Sequence, residues 1–395
     1  MELADVLASG NCSGCGACVL AGASERMDLN EQGDLRPVLG GAREGAGASA
    51  TVPLESYCPA LKVMRPKASP GSSIDDDFGP WVGVWSAHAT DPETRTLGSS
   101  GGALTALVSH LLAEGVTSGA AVVRAESGTT RSQAVLARTP DEALQGASSR
   151  YAPVSTLAVL AGRQDLAELT VVARPCEASA LRALVGSGDG APTILSFFCA
   201  GVPTQLATDA LVVGLGADPD SVQSVKYRGD GWPGEFVVTD RSGAQFGTSY
   251  EQSWGNVLGR RIQPRCKVCV DGVGESADVV AGDLWEADAN GYPIFAESAG
   301  NSVLIARTSK GRDIVEAANR AGRLAIYATD LEQTRAVQKM QVDRRRFLVG
   351  RLAGRRLAGV VNPRFRGFGL WRRVIRDPVG NLKQARGAYF RSRSR

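Results

Sequence analysis

Short apolar runs rich in β-branched residues recur along the middle of the chain, at Trp81 to Ala87, Ala120 to Arg124, Ala134 to Ala137, Leu169 to Ala173 and Thr193 to Phe198. Between them the spacing of apolar residues switches to a helical period. One helix is predicted to open after Ser99-Ser-Gly-Gly102, with Leu104, Leu107, Val108, Leu111 and Leu112 on one face and Gly115 as its stop. A second is predicted at Thr139, whose hydroxyl suits a cap, with Pro140 in the first turn and Glu142 completing a capping box. Residues Glu235 to Asp240 and Gln245 to Tyr250, joined by Arg241-Ser-Gly-Ala244, read as a hairpin. Strands that alternate with helices predict an α/β body built on a mixed sheet.

The flanks differ from this middle. Residues 1–65 hold four cysteines with little periodic structure between them and read as a small cluster-binding head. Residues 66–80, polar and rich in Ser, Pro and Asp, read as a linker. The body divides into 81–160 and 161–343. Residues 344–395 form a basic helical tail with 16 Lys or Arg and one acid, Asp377, a balance of +15. Since the whole chain has 44 bases and 41 acids, residues 1–343 carry 28 bases against 40 acids, a balance of −12. Two different surfaces follow from that asymmetry.

Composition narrows the class. With 395 residues, 43% of them hydrophobic, the chain is long enough for two or three domains and needs no disulfide scaffold. No run approaches the ~18 apolar residues of a membrane span, and Met1 to Leu20 lacks the basic start and apolar core of a signal peptide. A cytoplasmic location is expected, peripheral to the inner face of the membrane if the tail binds lipid. In a reducing compartment, eight cysteines point to metal or redox chemistry. Only two histidines are present, so metal binding must rest on thiolates.

Cys12-Ser-Gly-Cys15-Gly-Ala-Cys18 is a CxxCxxC run, and Cys58-Pro59 follows forty residues later. Three thiolates at that spacing can hold three corners of a cubane, and a Cys-Pro supplies the fourth, so a [4Fe–4S] cluster explains this set best. Four cysteines also suit tetrahedral zinc, although a zinc ribbon usually shows two CxxC pairs. Cys176 and Cys199 follow predicted strands at their carboxyl ends, where ligands collect in open α/β sheets, and Cys266-Lys-Val-Cys269 can close a second set of four. Two buried core cysteines beside a lone redox or zinc half-site read equally well from spacing alone.

Further along, Gly98-Ser-Ser-Gly-Gly-Ala-Leu-Thr-Ala-Leu107, Ser149-Arg-Tyr151, Arg174-Pro-Cys-Glu-Ala-Ser-Ala-Leu-Arg182, Phe198-Cys-Ala-Gly-Val-Pro203, Tyr227-Arg-Gly-Asp-Gly-Trp-Pro-Gly234 and Ala277-Asp-Val-Val-Ala-Gly-Asp283 occur in an order that is more specific than any one of them. Over about residues 10–345 the chain resembles the beta-subunit family of coenzyme F420 hydrogenases and dehydrogenases, and its two-set cysteine pattern is similar to that of 7-hydroxymethyl chlorophyll a reductase. The resemblance implies a flavin-binding body with FAD, a ferredoxin-like iron–sulfur head and two [4Fe–4S] clusters. It implies F420 or ferredoxin as the exchangeable carrier and a partner redox subunit. It assigns Cys176, Cys199, Cys266 and Cys269 to the cluster nearest the flavin. The chain departs from the family where relatives commonly have Thr-Pro-Cys-Gln and it has Arg174-Pro-Cys-Glu177, and where Phe-Trp-Gly is replaced by Leu284-Trp-Glu286. These departures bear on the substrate more than on the cofactors.

A flavin diphosphate needs amides and positive potential, which a helix N-terminus offers. Ser99, Ser100, Gly101 and Gly102 are the candidates, with a plain serine cap as the alternative. Ser149, Arg150 and Tyr151 can place a cation and an aromatic face beside the cofactor, although an isolated Arg-Tyr pair is more often surface. Arg228, Gly229 and Trp232 belong to a stretch too rich in glycine, and too rigid at Trp-Pro, for a casual linker. His88 and His110 read as bystanders. No Ser/His/Asp set, Walker loop or GxGxxG fingerprint is convincing, so no catalytic side chain is assigned and the chemistry falls to the cofactor. The tail interleaves arginines with apolar residues, which fits an interfacial helix pair on anionic lipid; a helix docked on the acidic body and a nucleic-acid tail are the alternatives, with no specific nucleic acid expected.

Overall fold

All five apolar runs fall in strands of one eight-stranded sheet. The computed structural model describes residues 2–39, 52–188, 190–288, 294 and 296–393. The first part contributes α1 (Leu3–Ala8), α2 (Ala17–Leu20), the strand pair β1 (Met27–Leu29) and β2 (Leu35–Pro37), α3 (Leu54–Tyr57) and β3 (Lys62–Met64). A hairpin of β4 (Ser73–Asp75) and β5 (Gly79–Trp81) leads to β6 (Gly83–Ala89), α4 (Pro92–Leu97) and α5 (Ala103–Ala113). Next come β7 (Gly119–Ala125), β8 (Ser132–Ala137), α6 (Pro140–Leu144), β9 (Leu169–Ala173), α7 (Pro175–Val185), β10 (Thr193–Phe197) and α8 (Gln205–Gly214). A separate antiparallel sheet holds β11 (Val222–Lys226), β12 (Glu235–Asp240) and β13 (Gln245–Ser249). The body closes with β14 (Val279–Asp283), β15 (Ser302–Ala306), α9 (Ser309–Arg320) and β16 (Leu324–Ala328). After it follow α10 (Leu331–Val337), α11 (Lys339–Arg346), α12 (Leu348–Leu357), β17 (Arg364–Arg366), α13 (Leu370–Arg376) and α14 (Pro378–Arg393).

The main sheet runs β16-β6-β15-β14-β10-β9-β7-β8. Strands β14, β10, β9 and β7 are mutually parallel. Because β6 is antiparallel to β15, and β15 to β14, β6 also ends at the carboxyl edge of the parallel block. Both faces are covered, as a parallel block requires. Val279 and Leu304 meet Leu107, Leu111 and Val315 on one side, while Val280, Val303 and Ile305 meet Phe78 and Val273 on the other.

The local signals act as their chemistry suggests. Thr139 Oγ1 accepts from Glu142 N at 3.2 Å, while the Glu142 carboxylate reaches one residue past the cap to Arg138 N at 2.6 Å. The β12–β13 turn is held by Asp240, which accepts from Ser242 N at 2.8 Å and Ala244 N at 2.9 Å.

The stretch read as a linker is ordered. Phe78 is fully buried, and the acids before it meet arginines from the C-terminal segment. Arg335 pairs with Asp75 at 2.6 Å and with Asp77, Arg373 pairs with Asp77 at 2.5 Å, and Arg345 donates to Asp76 O at 3.1 Å. Its polarity reflects charge complementarity rather than solvation. The same contacts make much of the basic tail part of the fold. Arg344, Arg345, Arg355 and Arg373 are buried, Leu348 and Phe368 pack with Val63, Val268 and Val270, and β17 pairs in parallel with β3. The head, too, packs on the body: Cys15, Ala17 and Tyr57 share a core with Leu157, Leu160, Ala178 and Leu181. Among the described residues no helix is long and apolar enough to cross a membrane.

Glu275 sits at the centre of the C-terminal clamp, with Arg345 at 2.5 Å and Arg65 at 2.6 Å and its own side chain fully enclosed. Burial alone would raise this carboxyl, but the guanidiniums of Arg345, Arg65 and Arg307 outweigh it and keep it below its usual range. Breaking a buried pair by removing one partner typically costs about 3–5 kcal/mol. Arg345→Ala should lower unfolding stability by roughly that amount in urea titrations; a loss under about 1 kcal/mol, the scale of an exposed pair, would mean that the clamp is ornamental.

Candidate cysteine-rich redox site

The eight cysteines are free thiols. Cys12 and Cys15 lie on the loop entering α2, Cys18 is the second residue of that helix, and Cys58 caps the end of α3. Gly14 and Gly16 adopt φ of 65° and 71°, so the loop curls where other residues would be strained. A Cβ on Gly14 would stand 2.6 Å from Leu35 O, and one on Gly16 would strike the Ser155 hydroxyl. That hydroxyl donates to Cys15 O at 2.8 Å, which fixes the loop to the body.

Cys176 is the second residue of α7, after β9, and Cys199 lies two residues beyond β10. Since β9 and β10 are parallel neighbours, both emerge at the carboxyl edge. Cys266 and Cys269 arrive on a short helical turn. Burial pushes the Cys199 thiol up to about 12, with Cys266 and Cys269 adding to it. Cys176 is raised by burial and, further, by Cys199 and Cys269. In the head, burial pushes Cys18 up to about 12, with Cys12 and Cys58 contributing, and Cys58 up to about 11. Cys15 is raised by burial and then by Cys176, Cys58 and Cys18. The thiols thus influence one another within the head, within the body and, through Cys15 and Cys176, between the two, while among the described residues no three His, Cys, Asp or Glu are arranged to hold a metal ion.

Arginines stand between the sulfurs. Arg174 is buried and donates to Gly14 O at 3.1 Å, Val154 O at 2.5 Å and Glu177 Oε1 at 2.8 Å. Glu177 in turn accepts from Arg174 N at 2.8 Å and Thr156 N at 3.1 Å. The two residues by which this chain departs from Thr-Pro-Cys-Gln thus satisfy each other. Arg265 donates to Pro59 O at 3.0 Å, joining the Cys266 turn to the Cys58 loop. From the C-terminal segment, Arg344 donates to Ala200 O at 2.5 Å and Gln341 to Cys199 O at 3.3 Å.

At the same carboxyl edge, at the end of β14, Asp283 pairs at 2.7 Å with buried Arg228. The Arg228 guanidinium lies 4.8 Å from the ring centres of both Trp232 and Tyr250, and its Nη2 has no hydrogen-bond partner among the described residues. Trp285 stacks on Trp232 at 5.4 Å, and Tyr151 packs at 4.5 Å on Trp254. Gly229 and Gly231 have positive φ, and the loop is pinned by Gly231 N to Thr96 O at 3.1 Å and Trp232 N to Ser298 O at 2.9 Å. A cleft of about 470 Å³ opens next to it, lined by His88, Arg95, Thr96, Asp230, Gly231 and Ser298 among others.

The loop before α5 lies at the same edge. Gly101 N donates to Ser302 Oγ at 3.1 Å, Ser100 Oγ to Asn301 O, and Ser149 N to Ser99 Oγ at 2.5 Å. A Cβ on Gly101 would stand 2.6 Å from Ala87 O, so this glycine serves close packing on β6. Arg150 is engaged elsewhere: it donates to Ser132 Oγ at 3.0 Å and to Val225 O, and it lies 4.9 Å from the Tyr227 ring centre. Sequence reasoning placed Asp283 and Trp285 in motifs of the site but missed Tyr250, Trp254, Arg265 and Arg344 as its neighbours, none of which carries a local signal.

A mixed α/β sheet that gathers thiols and buried guanidiniums at its carboxyl edge defines a cysteine-rich protein of the redox type. Two sequence models of one family match it: the coenzyme F420 hydrogenase/dehydrogenase beta subunit N-terminal region over residues 84–161 and its C-terminal region over 166–332. The chain belongs to that family. It is 26% identical over 256 residues to the coenzyme F420 hydrogenase subunit beta of Methanothermobacter thermautotrophicus, covering 62% of this chain and 84% of that protein. It is 24% identical over 248 residues to the F420-dependent formate dehydrogenase 1 subunit beta of Methanococcus maripaludis, 60% of each. With the coenzyme F420-dependent sulfite reductase of Methanocaldococcus jannaschii it shares 25% over 369 residues, 87% of this chain but 52% of that longer protein. In fold it is similar to a chain of the F420-reducing [NiFe] hydrogenase complex from Methanosarcina barkeri, with TM-score 0.51 and 22% identity over 69% of this chain and 92% of that one.

The raised thiols make a prediction for the reduced, cofactor-free protein. Their folded values lie above the ordinary 9.0, so the stability they contribute is complete below pH 9 and is lost as pH rises through the folded values of about 11 to 12. Thermal midpoints should fall between pH 9 and 11, and Cys199→Ser should flatten the slope. A midpoint independent of pH in that window would place the thiols in water.

Proposed function

We propose that the chain is an oxidoreductase subunit that exchanges electrons between reduced coenzyme F420, or ferredoxin, and a second substrate through FAD and two [4Fe–4S] clusters. The reading is supported by eight free cysteines in an order the family shares, with Cys176 and Cys199 at the carboxyl edge of the sheet where Asp283 and the buried Arg228 also lie. Thiolate ligands suit iron–sulfur clusters. Cys12, Cys15, Cys18 and Cys58 would hold one cluster, and Cys176, Cys199, Cys266 and Cys269 the other. The CxxCxxC run Cys12 to Cys18 with Cys58-Pro59 suits a cubane better than a zinc ribbon, which usually shows two CxxC pairs.

The residues also fit a flavin. The buried, unpartnered Arg228 Nη2 would meet its electron-rich edge, and Trp232, Tyr250 and Trp285 would keep water away. The Ser99 to Gly102 loop, with the first-turn amides of α5, would take the diphosphate. When bound, a flavin converts between two-electron and one-electron transfer, and clusters pass single electrons. Arg174 and Arg344 would moderate the negative charge of the thiolates. The names of the three relatives support F420 as the carrier, and the two named as beta subunits support a partner redox subunit.

Anaerobic purification should give about eight iron, eight sulfide and one FAD per chain, four iron and four sulfide for each cubane. Stoichiometric zinc without flavin would end this reading. Reduced F420 should bleach the flavin in stopped-flow mixing, and NADH should not. Equal bleaching by NADH would remove the F420 assignment, whereas a response only to reduced ferredoxin would move the donor role there.

A further inference from the structure

The C-terminal helix α14 is turned inside out. A helix on a protein surface normally buries its large apolar residues and exposes polar ones. Here the face against α12 is small or polar: Asn381 and Ala388 are buried, and Gly350 and Gly354 approach Asn381 O and Ala385 O so closely that neither tolerates a Cβ. The large apolar residues face outward, Val379 at 63% exposure, Leu382 at 72% and Phe390 at 57%. With Arg386 they recur at steps of three and four and so share one side of the helix. On α13, Trp371 and Ile375, one turn apart, are 74% and 81% exposed. Seven of the seventeen exposed large hydrophobics among the described residues fall between Leu357 and Phe390, five of them on α13 and α14.

Charge indicates what covers them. Exposed Arg372, Lys383, Arg386 and Arg391 lie among these residues, and none forms a salt bridge among the described residues. The one acid of the segment, Asp377, is already paired with Arg346 at 2.8 Å. We propose that the outward side of α13 and α14 rests on an anionic lipid bilayer, with Trp371, Ile375, Val379, Leu382 and Phe390 in the boundary between headgroups and acyl chains and the bases at lipid phosphates. The acidic remainder of the chain is turned away by the same field. An acidic protein would match the charge, but the centre of a protein interface is depleted of charge. Here bases stand between the apolar anchors, an arrangement that suits side chains that snorkel to an aqueous boundary. The inference does not depend on the cofactors proposed above.

Because residues from Arg344 onward are tied into the fold, point changes on the outward face test this better than deletion. Full-length protein, prepared anaerobically with whatever cofactors it carries, should co-sediment with vesicles of phosphatidylglycerol and phosphatidylcholine, much less with phosphatidylcholine alone, and be released by high salt. Lys383→Gln with Arg386→Gln should weaken partition roughly thirtyfold, at about fivefold per base near a charged surface. Leu382→Ser with Phe390→Ser should also weaken it, with thermal midpoint unchanged. Equal partition into neutral vesicles, no partition, or unchanged partition of the correctly folded variants would overturn the proposal. So would a dimer, or a bound acidic protein, that Leu382→Ser with Phe390→Ser disperses while vesicles fail to bind.

Discussion

Seven cysteines whose thiols burial raises, and which act on one another, pose an electrostatic problem that shapes the rest of the molecule. Burial disfavours the thiolate form, and each neighbouring sulfur disfavours it further. Fixed positive charge must then lie within the group rather than around it. Arg174, at the junction of the two sets, supplies it, but an arginine so deeply buried needs its own partner. Glu177 is that partner, one turn along α7, and its second oxygen closes on the Arg174 amide. The pair is neutral in sum, as a Thr and Gln would be, but it separates the charges, setting a guanidinium at Gly14 O and a carboxylate at the Thr156 amide.

The same reasoning accounts for the uneven distribution of charge along the chain. Asp75 and Asp77 are separated by 258 to 296 residues from the arginines that pair with them, and Glu275 by 70 from Arg345 and 210 from Arg65. Neither partner reads as structural alone, since an Asp-rich run and an Arg-rich run both resemble solvated tails. Together they bring α11 over the cysteine-bearing loops, where Gln341 and Arg344 bond to the backbone beside Cys199.

The body was legible because its signals are local. Periodicity located β6 to β10, α5 and the β12–β13 hairpin, and the placement of Cys176 and Cys199 at the ends of parallel strands followed from topology alone. The motif order made the family readable before any coordinates. What escaped was pairing over long distances: Arg345 with Glu275, Arg265 with Pro59, Arg228 with Asp283. Arg150 illustrates the converse, a residue singled out by a short motif whose guanidinium is occupied by Ser132 and Val225. Composition cannot distinguish a charge destined for water from one destined for a distant partner, which is why residues 66–80 and 344–395 were read as more independent than they are.

The parallel pairing of β3 with β17 has a consequence for how the protein is made. Strand β3 follows Cys58 by a few residues, yet the strand beside it is separated by some three hundred residues and lies near the end of the chain. A nascent chain that has already synthesised all eight cysteines still lacks β17, Arg345 and Leu348, which pack on the segments after Cys58 and Cys266, and Arg344, which bonds beside Cys199. The thiols are therefore enclosed last, by a segment of high contact order. Until that segment is synthesised and docked, the thiols stay open to solvent and to oxidation.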